Sequence, residues 1–157
     1  MEINLNTADI YNLVERSLSI IGKRSVDDNG NLMFKDITLG SREQGIIADY
    51  ISSAMSDLAA EMSDFVSAST DTSITITLPS NHNAQLDSLM GKACQQYCAS
   101  YALYSWFTIT APRLAEKYLG DSNKQLDAIR IMVHNKKKPA PSSADYDDVN
   151  GTVEKKT

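Results

Sequence analysis

Between Lys92 and Arg113 the chain carries no charge for twenty residues. A segment of that length can cross a bilayer as a helix. Here it contains Gln95, Gln96, Ser100, Ser105, Thr108 and Thr110, which hydrocarbon penalises. A helix buried on most sides by other helices satisfies both facts. Leu86, Leu89, Met90, Ala93, Cys94, Tyr97, Tyr101, Tyr104 and Phe107 recur at helical spacing. They predict a helix from just after Asn81 or Asn83 to about Thr108. From Tyr97 onward it is apolar or aromatic nearly all round, as the centre of an assembly must be.

A central helix needs partners. Ile10, Leu13, Val14, Leu18 and Ile21 make one stripe of a helix from Ala8 to Ile21, capped by Asn6 or Thr7 and stopped by Gly22. Ser41-Arg42-Glu43-Gln44 reads as a capping box. Ile46, Ile47, Tyr50, Ile51, Ala54, Leu58, Met62 and Phe65 then continue a helix as far as Val66. Pro112 opens a short helix from Arg113 to Leu119, closed by Gly120, and Ser122 caps a fifth containing Leu126, Ile129, Ile131, Met132 and Val133. Between these, Ser67 to Ser73 reads as a loop of small residues. Ile74-Thr75-Ile76-Thr77-Leu78 alternates as a strand and ends at Pro79. A lone strand must pair. Its expected partner is either a hairpin around the Asp28-Asn29-Gly30-Asn31 turn, within residues 24–39, or another subunit.

The expected fold is therefore mainly α, a bundle of four to five helices with a small hairpin or strand element. Residues 1–135 form the helical domain and 136–157 an extended tail. The expected core includes Leu13, Leu18, Ile47, Ile51, Leu58, Leu89, Tyr97, Tyr101 and Ile129. Ser and Thr together number 28, many of them within the helices. These weak helix formers make the helices dependent on packing.

Composition narrows the function classes. The 157 residues suit one domain. With 15 basic and 20 acidic residues the net charge is −5, which is unsuited to gripping phosphates. Two cysteines cannot build a disulfide framework, so a reducing compartment is expected. The opening Met1-Glu2-Ile3-Asn4 lacks the pattern of a secretory leader.

Chemistry-bearing patterns are sparse. Ser25, Asp27, Asn29, Gly30 and Asp36 fall on the ligand and turn positions of a calcium loop, but Ser and Asp replace the usual terminal ligands. A simple hairpin turn is the expected reading. Cys94 and Cys98 share a helix face and could supply half a metal site. His82 and His134 are isolated in sequence, and small buried hydrophobes are the expected role of the two thiols. No G-x-S-x-G elbow occurs, and Gly22-Lys23 lacks the remainder of a phosphate loop. No catalytic residue, cofactor or metal is expected.

Asp57, Glu61 and Asp64 form an acidic ridge on the second helix, with no basic residue between Glu43 and Val66. It is either a solvated face, a channel lining, or a surface that meets Arg113, Lys117, Lys124 or Arg130 of an adjacent copy. Trp106 and Phe107 with Tyr97, Tyr101 and Tyr104 could stack bases, but nothing basic flanks them, and a buried aromatic core is expected instead. After Lys136-Lys137-Lys138, Pro139 and Pro141 favour an extended chain. The tail buries too little to fold alone. It is either a solubilising tail or a docking arm that orders on assembly, with Tyr146 and Val149 as candidate anchors on a neighbouring subunit or another protein of the assembly.

The order of these features resembles the head–tail connector, or neck adaptor, proteins of tailed bacteriophages. The similarity lies in the long capped helix Ser41–Val66, the strand Ile74–Leu78, the Tyr- and Ala-containing helix Leu86–Phe107, the shorter pair Pro112–Tyr118 and Leu126–Val133, and the polar tail. It covers most of residues 7–135 as architecture. The segment around Asp28-Asn29-Gly30 departs from the minimal pattern. The resemblance implies a virion component assembled in the host cytoplasm as a ring, dodecameric in that family. The ring sits below the portal protein, contacts tail or neck proteins, and lets DNA pass without specific binding or any membrane contact. Two other readings remain at this point: a non-viral helical adaptor that binds a protein partner, and a small enzyme with a site assembled from distant residues.

Overall fold

The computed structural model describes residues 2–24 and 41–137. Five residues open the chain as strand β1 (Glu2–Asn6), in which Ile3 and Leu5 alternate inward and Glu2, Asn4 and Asn6 outward. Helix α1 (Thr7–Arg24) follows directly. Its start is fixed by a reciprocal cap: the Asp9 amide donates to the Asn6 side-chain oxygen at 2.8 Å, and the Asn6 amide group donates to the Asp9 carboxylate at 2.7 Å. Ile10, Val14 and Leu18 form its buried stripe.

Helix α2 (Ser41–Glu61) buries Ile47, Ile51, Ala54, Met55 and Leu58. It ends five residues before Val66. The chain turns at 62–65, where Phe65 and Val66 amides both donate to the Met62 carbonyl, and Val66–Ser69 becomes strand β2. Met62 and Phe65 kept the helical spacing, but they pack against the core from within the turn.

Strand β3 (Ser73–Thr77) is the middle of a three-stranded antiparallel sheet of order β1-β3-β2. Ile3 stands opposite Ile76 and Leu5 opposite Ile74, so four inward side chains form one apolar face. The β2–β3 turn is held by Thr70, whose amide donates to the Ser73 carbonyl while its hydroxyl accepts from the Ser73 amide. This corrects two expectations. Ser67–Ser73 is half strand, and the partners of β3 lie within the same subunit, one of them the first segment of the chain. The hairpin around Asp28-Asn29-Gly30 and the candidate calcium loop Ser25–Asp36 lie outside the described residues.

A single 3₁₀ turn, Ala84–Leu86, leads into α3 (Asp87–Thr110). α3 is the uncharged helix, and it touches α4, α2, α1 and β1. Its buried set alternates small and large: Ala93, Cys94, Cys98, Ala99 and Ala102 admit neighbours closely, while Met90, Tyr97, Leu103 and Phe107 fill the gaps. Three of the hydroxyls that disfavoured a membrane span are satisfied along the helix. Ser105, Thr108 and Thr110 donate to the carbonyls of Tyr101, Tyr104 and Trp106. Among the described residues no helix is long and apolar enough to cross a membrane.

The expected fourth and fifth helices are one continuous helix, α4 (Pro112–Val133), antiparallel to α3. Pro112 occupies its first turn. Gly120 does not stop it, and Ser122, expected as a cap, instead donates to the Leu119 carbonyl at 2.8 Å from a buried position. Packing along α3, the most extensive contact in the fold, overrides the local stop signal. A methyl group at Gly120 would meet nothing within 4 Å. Gly120→Ala is therefore expected to raise stability by about 0.5–1 kcal/mol, through lower entropy of the unfolded chain. Urea unfolding measures it; a loss of stability would show that the helix needs the glycine.

The result is a helical bundle with a small antiparallel sheet on one side. Of the expected core, Leu18, Ile47, Ile51, Leu58, Tyr97 and Ile129 are buried, and Leu13 and Tyr101 are partly so. Leu89 is 55% exposed and does not belong to the core.

Candidate functional site

The acidic residues singled out on α2 divide into three settings. Asp57 is exposed and faces the tyrosines of α3. Its negative charge acts on the hydroxyls of both Tyr97 and Tyr101. Burial first, and the negative charge of Asp57 second, push the Tyr97 hydroxyl up to about 12 and raise that of Tyr101. The rings of Tyr97, Tyr101 and Tyr104 follow one another at 6.1 and 6.0 Å, so the aromatic run is a packed seam in which Tyr97 is buried.

Glu61 meets a cation, but one from its own chain. The Arg130 Nε donates to Glu61 Oε1 at 2.6 Å, and Arg130 Nη1 lies 3.3 Å from Asp127. The hydrogen bond to Arg130 holds the Glu61 carboxyl below its ordinary value. A lowered carboxyl adds stability above its unfolded-state value and gives it up as pH falls through the folded value. Arg130→Gln is expected to bring the Glu61 titration back up, as read by carboxyl carbon shifts. An unchanged titration would mean the pair does not persist in solution. Asp64, placed on the helix by its spacing, sits in the turn beyond it and is exposed.

The other basic candidates lie along α4. Arg113 is exposed in the first turn. Lys117 places its ammonium 5.4 Å from the Tyr118 ring centre, and Tyr118 stacks on Phe107. Lys124 lies 3.8 Å from Asp121. Tyr146 and Val149 lie outside the described residues.

The most organised polar cluster is one the sequence did not reveal. His82, in the loop after β3, and Asp87, in the first turn of α3, are both buried, with Nδ1 3.1 Å from Oδ1. The other ring nitrogen, Nε2, lies 2.9 Å from the Met132 carbonyl near the end of α4. A carbonyl only accepts, so Nε2 is the donor there. Around this pair the chain beyond α4 returns to the loop: Asn83 donates its amide to the Asn135 carbonyl and Lys137 to the Asn81 carbonyl. The cluster thus clasps the start of α3 to the end of α4.

Beside the clasp lies a surface groove. One part, about 330 Å³, is bordered by Phe65, Pro79, Val133, His134 and Lys136. It adjoins a second part of about 280 Å³ that runs past Met62, Ile129 and the Glu61–Arg130 pair. The His134 ring meets Phe65 edge-on at 6.0 Å.

These groups are suited to holding surfaces together. His82 spends Nε2 on the Met132 carbonyl, and its Nδ1 lies against the Asp87 carboxylate without a hydrogen bond. Cys94 and Cys98 are both buried, and burial pushes the Cys94 thiol up to about 12 and raises Cys98 further. Among the described residues no three His, Cys, Asp or Glu side chains gather as a metal site. Compared with protein-family models, with curated proteins and with solved structures, the chain matches none.

Proposed function

We propose that this chain is a structural virion protein, a head–tail connector or neck adaptor that forms a ring below the portal through which phage DNA passes. The observation that carries the reading is architectural. Long helices packed around an uncharged central helix, with a small sheet at their side and a polar segment after α4, are the arrangement the sequence resemblance implies. Large apolar side chains left outside the core support a life among neighbours: Leu89, Ile109 and Ile131 are 55%, 76% and 71% exposed. A subunit in a closed ring uses two different lateral faces, and α3 and α4 each offer such a residue. The net charge of −5 also suits a channel along which DNA slides without sticking.

With Arg130 already committed to Glu61, the acidic residues left to line a channel or meet a neighbour are Asp57 and Asp64. Of the basic candidates, Arg113 and Lys117 remain on the outer face of α4. Electron microscopy of the purified protein, with and without portal, tests the reading. Rings, or decoration of the portal, are expected, together with presence of the protein in purified virions. A protein found in infected cells but missing from virions, or one that stays monomeric and ignores the portal, would overturn it.

A further inference from the structure

The groove beside the clasp is where the described chain ends. Lys136 borders it, and Lys137 is fixed to its rim through the Asn81 carbonyl. Phe65, Pro79 and Val133 give it an apolar floor, and no carboxylate borders this part of it. Whatever follows Lys137 therefore begins at the mouth of this part, with Lys136 at its border and the carboxylates of Glu61 and Asp64 confined to the adjoining part.

The sequence beyond carries a matching segment. Ala144-Asp145-Tyr146-Asp147-Asp148-Val149 holds one aromatic side chain flanked by three acids. In an extended chain Tyr146 points opposite to Asp145 and Asp147, so the ring can enter the groove while the carboxylates reach the ammonium groups of Lys136 and Lys137. Eight residues separate Lys137 from Tyr146. They span at most about 30 Å, ample for a return to a groove that residue 136 itself borders. Closing so short a loop costs little, and the tether holds the segment at high effective concentration.

We propose that the segment Ala144–Val149 docks on its own subunit, with Tyr146 seated on Phe65, Pro79 and Val133 and its aspartates paired to Lys136 and Lys137. The seat goes beyond the connector reading and does not depend on it, because the test uses the free subunit.

The test compares the full chain with its Tyr146→Ser variant at concentrations where sedimentation shows a monomer. The Val133 methyl groups are expected to show nuclear Overhauser contacts to the Tyr146 ring, and their signals to shift when Tyr146→Ser removes it. In a mixture of isotope-labelled and unlabelled chain, contacts between Val133 of one chain and Tyr146 of another should be absent. Absence of the contacts in the full chain would overturn the proposal, and so would Val133 signals unmoved by Tyr146→Ser. Contacts between chains in the mixed sample would place the segment on a second copy and overturn it as well.

Discussion

Replacing His82 by alanine is expected to cost about 3–5 kcal/mol of stability, more than any surface change in this protein. The carboxylate of Asp87 is buried, and neither of its oxygens makes a conventional hydrogen bond. The His82 ring packs against it, with Nδ1 3.1 Å from Oδ1. Removing the ring strands a carboxylate in an apolar setting, which is the costly way to break a buried pair. The positive end of α3, where Asp87 stands, offsets only part of that. His82→Leu combined with Asp87→Leu removes both polar groups and should recover most of the loss. Urea unfolding of the single and double variants decides the matter. A loss below about 1 kcal/mol for His82→Ala would mean the carboxylate reaches water and the clasp holds little. Hydrogen exchange gives an independent readout: the amides of Asn83 and Lys137, bonded to Asn135 and Asn81, should lose protection first in His82→Ala.

His82 and Asp87 also show why part of the site escaped the sequence. They are five residues apart, on a loop and on the first turn of a helix, and no periodicity links those two settings. The Glu61–Arg130 pair spans 69 residues. Both residues are legible as candidates of opposite charge, but the spacing rules that pair charges act within one helix, and a contact between two helices of the same chain leaves no such signal. The apolar stripes were legible because burial repeats at helical spacing. Ile10, Val14 and Leu18, and likewise Ile47, Ile51 and Leu58, are buried where their positions demanded. The sheet was half legible. Ile74 and Ile76 alternate over enough residues to read as a strand, whereas Ile3 and Leu5 give a single alternation that only its partner makes meaningful. At Gly120 a local stop signal worth about 1 kcal/mol was outweighed by the packing of α4 on α3, a non-local term that no window of sequence contains. At Val66 the balance ran the other way: apolar spacing favoured helix, and pairing with β3 took the residue into the sheet.

The same competition sets the second large effect, at the start of α3. Met90 is fully buried, and truncation to alanine is expected to cost about 2–5 kcal/mol. Its neighbour Leu89, more hydrophobic by type and expected in the core, is 55% exposed. The helix wheel explains the reversal. Met90 shares its face with Ala93, Cys94 and Tyr97, all buried, whereas Leu89 shares its face with Lys92 and Gln96, both exposed. β1 fixes this rotation from outside the helix: a side chain at Gly91 would meet Ile3 at 3.5 Å, so the strand lies close against this turn of α3. Leu89→Ala should therefore change the stability of the isolated subunit by no more than about 0.5 kcal/mol. Equal losses at the two positions would mean that α3 is rotated from the orientation described. If the ring reading is correct, Leu89 has a second use: an exposed leucine beside an exposed lysine is buried only on assembly. Leu89→Ala should then weaken association while leaving subunit unfolding unchanged, and Met90→Ala should lower stability whether or not neighbours are present. Measuring unfolding and self-association on both variants separates a residue that holds the fold from one that meets a partner.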